Sequence, residues 1–217
     1  MALSSITIKK TLKLAILRLK KAEIESPILD AEVLLAFALK KPKEYLYSHP
    51  EVKITPGQLK LFQKLIARRT KHEPVAYLTG HKEFFGLDFV VNRDVLIPRP
   101  ETELMVEEVL KILNSQGYPP SSPLSKGGKF KNPSSPPLLK GRTKTLLIDM
   151  GTGSGCIPIS IVKNSNIDAI AIDASLTALK IARQNARRNG VDKKIKFIKN
   201  DLLKNWKLEI RNWKLIL

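Results

Sequence analysis

The chain has 217 residues, of which 43% are apolar, and this is enough for a folded core in one domain with a smaller companion. Its formal charge of +18 suits a polyanionic neighbour, but six lysines and arginines fall in one acid-free segment, so direct nucleic-acid binding is not expected. No apolar run approaches the ~20 residues of a membrane span, no signal peptide is recognisable, and the single cysteine excludes an internal disulfide, which together favour a cytoplasmic protein without a membrane partner.

Residues from about 6 to 70 predict three or four helices in a small bundle. Apolar residues recur there at the helical period, as at Leu12, Ala15, Ile16 and Leu19. Ser26 followed by Pro27, and the sequence Thr-Pro-Gly-Gln at 55–58, are typical helix starts. No catalytic set of residues is present, so the helical domain assigned to residues 1–74 is either a docking module for a partner or a scaffold.

Residues 75–97 predict a β-hairpin that links two domains. The sequence Phe-Phe-Gly-Leu-Asp-Phe-Val-Val at 84–91 is aromatic and β-branched around a glycine. It leads to Ile-Pro-Arg-Pro-Glu-Thr-Glu at 97–103, where two prolines give a stiff extended entry. The acids that follow suit the N-terminus of a helix that runs to Leu113.

The segment 115–144 has a different composition from its surroundings. It contains six of the fourteen prolines of the chain, six lysines and arginines, and no acid. Such a composition predicts disorder, and so long a loop is uncommon inside a domain. We therefore interpret residues 115–144 as a solvated, Pro/Lys-rich insert.

Strands alternate with helices in the last third of the chain. Buried strands are predicted at 146–150, 169–173 and 195–199, with a fourth beginning at 213–217. A helix follows the first strand, and a second helix runs from Leu176 to Asn189 and ends before Gly190. This β-α-β order predicts a parallel sheet and an α/β fold.

A glycine turn follows the first of these strands. The sequence at 149–155 is Asp-Met-Gly-Thr-Gly-Ser-Gly, in which Gly151, Thr152, Gly153, Ser154 and Gly155 form the turn. Glycines allow the backbone to approach a ligand closely, but the third glycine does not have the dinucleotide-binding spacing. A pyrophosphate disfavours a nearby carboxylate such as Asp149, whereas a sulfonium tolerates it. The spacing therefore favours S-adenosylmethionine over a nicotinamide cofactor.

Two further aspartates end the next two strands. Asp173 lies twenty residues after Gly153 at the end of the second strand, where a carboxylate can accept both ribose hydroxyls. Asp201 follows the third strand, where an acid can meet the adenine amino group. Each residue alone is weak evidence, but their order on three successive strand ends predicts a cofactor site.

Other candidate chemistry is sparse. The histidines at 49, 72 and 81 are scattered without metal-ligand spacing, so we expect no metal site. Cys156 lies in the first turn of a helix, where its thiol pKa is either lowered, as in reactive cysteines, or unused because the residue only fills space. We favour the packing interpretation.

With these motifs in place, the chain resembles the HemK/PrmC family of protein-(glutamine-N5) methyltransferases, which modify peptide chain release factors. The resemblance covers almost the whole chain except the insert. It depends on four sequences: Arg-Arg at 68–69, Glu-Pro-Val-Ala-Tyr-Leu-Thr-Gly at 73–80, Glu-Phe-Phe-Gly-Leu at 83–87, and Leu-Ile-Pro-Arg-Pro-Glu-Thr-Glu at 96–103.

The resemblance implies a class I, Rossmann-like S-adenosylmethionine-dependent domain at residues 98–217, preceded by a release-factor docking domain. Gly151 to Gly155 would line the methionine end of the cofactor, and Asp173 would hold the ribose. Leu202 stands at a cofactor-pocket position that is often aromatic in the family, so ring stacking there would be weaker.

The family performs its reaction with an Asn-Pro-Pro-Tyr loop after the fourth strand, which orients the glutamine amide nitrogen for attack. The 217 residues do not contain that loop, so we expect a domain truncated at its fourth strand, with no catalytic residue of its own and no methyl transfer. Three alternatives stay open: methylation of a ribosomal-protein glutamine, methylation of adenine N6 in nucleic acid, and a non-catalytic gene fragment.

Overall fold

In the computed structural model, residues 6–115, 145–201 and 214–215 are described. The chain divides into a first unit, Met1–Gly80, and a second unit, His81–Leu217. The predicted Leu202 and the predicted insert, apart from Ser115, lie outside the described residues. Ser115 itself is the last residue of a helix, and its hydroxyl donates a 2.8 Å hydrogen bond to the carbonyl of Ile112.

The first unit is helical, as predicted. Its elements are α1 Ile8–Lys21, α2 Pro27–Leu39, α3 Glu44–Ser48, α4 Pro56–Arg69 and α5 Val75–Thr79. The predicted capping box at the start of α4 is confirmed: Thr55 and Gln58 each accept a hydrogen bond from the other's backbone N–H. Ser26 precedes Pro27 as predicted but makes no side-chain cap, so the proline alone marks the start of α2.

Helix α2 lies at the centre of the first unit and contacts α1, α3, α4 and α5. Unlike a surface helix, it is buried on most sides, and this explains why its apolar residues do not follow a single stripe. The largest fully buried side chains of this unit are Ile8, Leu19, Leu34, Leu35, Leu46 and Phe62. Each contributes about 1.5–3 kcal/mol through removal from water.

The second unit begins with a hairpin of strands β1 His81–Phe84 and β2 Leu87–Val90. Phe85 and Gly86 both have positive φ, +53° and +69°, as a two-residue type I′ turn requires. The hairpin is shorter than the predicted 75–97 because residues 75–79 form α5. The Phe85 N–H donates to the Glu103 carboxylate at 2.9 Å, which fixes the turn to the first residues of α6, Glu101–Ser115.

The rest of the second unit is a parallel sheet with helices, the predicted α/β fold. The elements are β3 Thr145–Met150, α7 Cys156–Asn164, β4 Asp168–Asp173, α8 Leu176–Arg188, a 3₁₀ turn Asp192–Lys194, β5 Ile195–Lys199 and β6 Lys214–Leu215. The strand order is β5-β4-β3-β6 with every pair parallel. From β3 the chain adds β4 and then β5 on one side, and it later adds β6 on the other side of β3. Such a switch in strand order predicts a crevice at the carboxyl end of β3.

Candidate functional site

The glycine turn occupies that crevice edge, between β3 and α7. Gly151, Gly153 and Gly155 all have positive φ, +79°, +53° and +78°. The N–H groups of Gly151 and Thr152 both donate to the Ile172 carbonyl of β4 at 2.9 Å. The turn is therefore held against the neighbouring strand, in backbone conformations that favour glycine.

The three glycines have different surroundings. A Cβ atom on Gly151 would meet nothing within 4 Å, and one on Gly153 would meet only the Gly151 carbonyl at 3.9 Å. A Cβ on Gly155 would lie 2.9 Å from the Ile159 side chain and 3.1 Å from that of Ala182. The first two glycines thus face open space that a ligand can approach, whereas the third allows α7 and α8 to pack closely.

Asp173 lies at the end of β4, beside the turn. Its Oδ2 accepts the Gly153 N–H at 2.9 Å, and its Oδ1 accepts the Ser175 N–H at 2.8 Å. Each carboxylate oxygen has a second lone pair, so both can still accept a hydroxyl. The carboxylate is therefore fixed in place by the backbone and has acceptor capacity left for a ligand.

Asp149 is buried at the end of β3, two residues before the first glycine. Burial raises the pKa of its carboxyl group, the Asp173 carboxylate raises it further, and the nearby Thr152 hydroxyl partly offsets the effect. The Thr152 hydroxyl lies near enough to stabilise the Asp149 charge, but Asp149 Oδ2 and Thr152 Oγ1 are both buried and neither makes a well-aligned hydrogen bond to a described residue. Unpaired buried polar atoms are costly, so they indicate a place where a cationic or hydrogen-bonding ligand group fits.

Asp201 follows β5 at the same edge of the sheet. The preceding residue, Asn200, donates its N–H to the Asp173 carbonyl at 3.1 Å, which ties the end of β5 to the end of β4. The structure thus brings Asp149, Asp173 and Asp201 to successive strand ends. Their roles toward a cofactor stay predictions.

Cys156 opens α7 directly after the turn. Burial raises the pKa of its thiol to about 11, against smaller opposing effects of Ser154 and the backbone N–H groups. The alternative of a lowered thiol pKa is therefore wrong, because loss of water outweighs the helix N-terminus. Among the described residues, no group of three His, Cys, Asp or Glu side chains is arranged to hold a metal ion.

Sequence reasoning missed one buried polar residue next to the site. Asn185 on α8 is fully buried and donates to the Ser154 carbonyl in the glycine turn at 2.9 Å. Its signal was an amide on the otherwise apolar face of α8, which includes Ala178, Leu179, Ala182 and Ala186.

None of the described helices is long and apolar enough to cross a membrane.

Two family models match the chain. Residues 10–80 match the PrmC N-terminal domain, and residues 138–211 match the ribosomal protein L11 methyltransferase, PrmA. The first match coincides with the helical unit, and the second covers the glycine turn and the strands on both sides.

Curated relatives point in the same direction. The release factor glutamine methyltransferases of Nitratidesulfovibrio vulgaris and Koribacter versatilis are each 36% identical over 91% of this chain, which covers 58% and 61% of their lengths. A bifunctional methyltransferase of Rickettsia felis is 37% identical over 92% of this chain, which covers 38% of its length. The chain therefore resembles the HemK/PrmC family and spans part of the length of these relatives.

Proposed function

We propose that this protein, as a relative of the release factor glutamine methyltransferases, serves in the S-adenosylmethionine-dependent methylation of a glutamine side-chain amide on peptide chain release factors. The observation that carries the proposal is the presence, in one chain, of a PrmC-type helical domain and a glycine turn with unpaired buried polar atoms. The first feature is specific to the family, and the second is what a ligand site requires. Such a substrate would place the reaction in the cytoplasm.

In this proposal the crevice edge binds S-adenosylmethionine, which supplies an electrophilic methyl group when bound. Gly151 and Gly153, with open space beside them, and Thr152 and Ser154 between the glycines, would border the methionine end. Asp149 provides negative charge next to a cationic ligand, and Asp173 keeps two acceptor oxygens for ribose hydroxyls. Asp201 is proposed to accept a hydrogen bond from the adenine amino group. Gly155 is proposed to support the turn, because it allows α7 and α8 to pack closely.

The helical unit is proposed to dock the release factor. Helix α1 carries six lysines and arginines and no acid, at positions 9, 10, 13, 18, 20 and 21. Two of its leucines, Leu14 and Leu17, are 54% and 56% exposed. This combination suits a partner surface that is both acidic and partly apolar.

The sequence contains no Asn-Pro-Pro-Tyr, the loop that orients the acceptor amide in the family. An amide nitrogen is a poor nucleophile without such an oriented acceptor for its hydrogens. We therefore propose that a polypeptide of these 217 residues binds the cofactor without transferring its methyl group.

Two measurements on the 217-residue protein test these proposals. Calorimetry with S-adenosylmethionine is expected to show saturable binding that Asp173→Ala weakens at least tenfold, because it removes the fixed acceptor. Absence of heat at millimolar cofactor would contradict a formed site. In a radiolabelled-methyl assay with a release factor as acceptor, incorporation by the 217-residue protein is expected to stay at background. The release factor glutamine methyltransferase of Koribacter versatilis, as the positive control, is expected to label the same acceptor. Labelling by the 217 residues would overturn the inactivity proposal.

A second candidate acceptor is a ribosomal protein, favoured by the match of residues 138–211 to the L11 methyltransferase model. Two experiments separate the candidate acceptors. One is a pull-down with release factor and with ribosomal protein L11, and the other is a gel shift with RNA and DNA. We expect retention of the release factor alone. Retention of L11, or a shift of nucleic acid, would favour the ribosomal-protein or N6-adenine alternative instead.

A further inference from the structure

Asn185 connects two segments of the second unit that are far apart in sequence. Its carboxamide is fully buried on α8. Oδ1 accepts the Val90 N–H at 2.7 Å, and Nδ2 donates to the Val90 carbonyl at 3.0 Å and to the Ser154 carbonyl at 2.9 Å. Both donors and the acceptor oxygen of the amide are therefore engaged, one side on the hairpin and the other on the glycine turn.

Toward Val90 the carboxamide takes the place of a neighbouring strand. It pairs with both the N–H and the carbonyl of one residue, as a strand does in a ladder. Without Asn185, the Val90 N–H and carbonyl would lose these partners. Only an amide side chain presents one acceptor and two donors in this arrangement, so neither an acid nor an apolar side chain reproduces it.

Toward the glycine turn, α8 makes two contacts one helical turn apart. Gly155, which has no Cβ, leaves room for Ala182, and Asn185 holds the carbonyl of the residue before the glycine, Ser154. On the opposite side Asp173 holds the N–H of Gly153. The segment 153–155 is thus fixed from two sides, and Asn185 supplies the polar contact from the helix side.

The same helix provides a matched comparison. Asn189, the C-cap residue of α8, donates to the Asp88 carbonyl of the hairpin at 3.4 Å, and Arg188 forms an ion pair with the Asp88 carboxylate. Asn189 also donates to the Asn185 carbonyl at 2.9 Å, but among the described residues neither Asn189 nor Arg188 bonds to the glycine turn. A variant at Asn189 therefore loosens the hairpin while it leaves the turn contact intact.

We propose that Asn185 is a positioning residue for the cofactor: it fixes the Ser154 carbonyl and couples the shape of the glycine turn to strand β2. The proposal depends on the proposed cofactor site. It assigns no contact between Asn185 and the cofactor, so its effect passes through the turn.

The test compares Asn185→Asp and Asn185→Ala with Asn189→Ala in the 217-residue protein. Calorimetry with S-adenosylhomocysteine gives the affinity, and thermal unfolding gives the folded fraction used to correct it. We expect at least tenfold weaker binding by both Asn185 variants and a change below twofold for Asn189→Ala. If the folded fraction of the Asn185 variants binds with the unaltered affinity, Asn185 is merely structural and the inference is wrong.

A measurement on the unaltered protein covers the case in which the Asn185 variants do not fold. Saturation with S-adenosylhomocysteine is expected to slow exchange of the Val90 amide hydrogen at least fivefold, because the turn and β2 share Asn185. The Leu179 amide, bonded to the Ser175 carbonyl in the first turn of α8, serves as reference. Equal effects on both amides would refute the coupling. If the unaltered protein binds no S-adenosylhomocysteine, the proposed function fails. If it binds but the two amides respond equally, only the coupling through Asn185 fails.

Discussion

The two units of the molecule differ in how completely their buried polar side chains are paired. In the described part of the first unit, the buried polar side chains are Thr11, Asp30 and Glu32, and each has a partner within hydrogen-bonding distance. In the described part of the second unit, Ser165 and Asn185 are likewise paired, whereas atoms of Asp149, Thr152 and Ser160 are buried without a partner. The unpaired atoms of Asp149 and Thr152 lie at the glycine turn, where a ligand can pair with them.

The largest expected effect is on the core of the first unit. Phe62→Ala removes a fully packed ring, and we expect the free energy of unfolding of this unit to fall by about 3–5 kcal/mol. Phe37→Ala is the matched control because Phe37 is 39% exposed, and it should cost less than about 1.5 kcal/mol. Denaturant unfolding followed by circular dichroism measures both. Equal losses for the two variants would contradict the assignment of the core.

A substitution at the third glycine tests the packing of the second unit. In Gly155→Ala, the Cβ would meet Ile159 and Ala182 at a positive φ, so we expect a loss of about 2–4 kcal/mol. Gly57→Ala in α4 meets nothing within 4 Å and should be neutral or stabilising by up to about 1 kcal/mol. Thermal unfolding compares them. A Gly155→Ala protein as stable as the unaltered one would mean that the third glycine is not a packing requirement.

Local patterns predict much of this second unit. The strand ends, the glycine turn and the aspartates that follow the strands occur within windows of five to ten residues, and a period of two or 3.6 is readable in such windows. The type I′ turn at Phe85 and Gly86 follows the same logic, since glycine after a short aromatic run favours a hairpin.

The features that sequence patterns did not predict depend on contacts between distant segments. Helix α5 has five residues, too few for a helical period to be read, and its residues were therefore included in the predicted hairpin at 75–97. Asn185 bonds to a residue 95 positions away, and the requirement for Gly155 comes from Ala182 on another helix. Such residues look ordinary in the linear sequence because their partners become neighbours only in the folded chain.

Opposite signs are expected when the buried aspartates of the two units are neutralised. Burial raises the pKa of Asp149, so the folded protein holds that proton more tightly than the unfolded chain does. The protonated Asp149 carboxyl group therefore contributes to the free energy of unfolding at low pH. This contribution is lost as the pH rises from the ordinary carboxyl pKa through the raised pKa of Asp149. Asp149→Asn removes this loss, and we expect it to stabilise the protein at pH 7 and by progressively less toward pH 4.

Asp30→Asn provides the contrast. It breaks an ion pair with the Arg69 Nε at 2.7 Å, and we expect it to destabilise by about 1.5–3 kcal/mol at pH 7. Thermal unfolding from pH 4 to pH 8 measures both variants. In calorimetry, Asp149→Asn should also weaken S-adenosylmethionine binding, because it removes the charge beside the proposed site. A stabilised Asp149→Asn protein with unaltered affinity would mean that the unpaired carboxylate serves no ligand.

The smallest effect is expected at Cys156, which lies next to the site but takes no part in it. With a thiol pKa of about 11, the thiolate is scarce at neutral pH, so alkylation by iodoacetamide at pH 7.5 should be at least tenfold slower than for free cysteine. The rate should continue to rise up to about pH 11 in the folded protein, and Cys156→Ser should change the cofactor affinity less than twofold. Mass spectrometry of the labelled chain and calorimetry of the variant measure these outcomes. Rapid labelling that is suppressed by bound cofactor would instead place the thiol in the site. Cys156 would then no longer be a residue that only fills space, and it would no longer contrast with Asp149, whose unpaired oxygen is proposed to face a ligand.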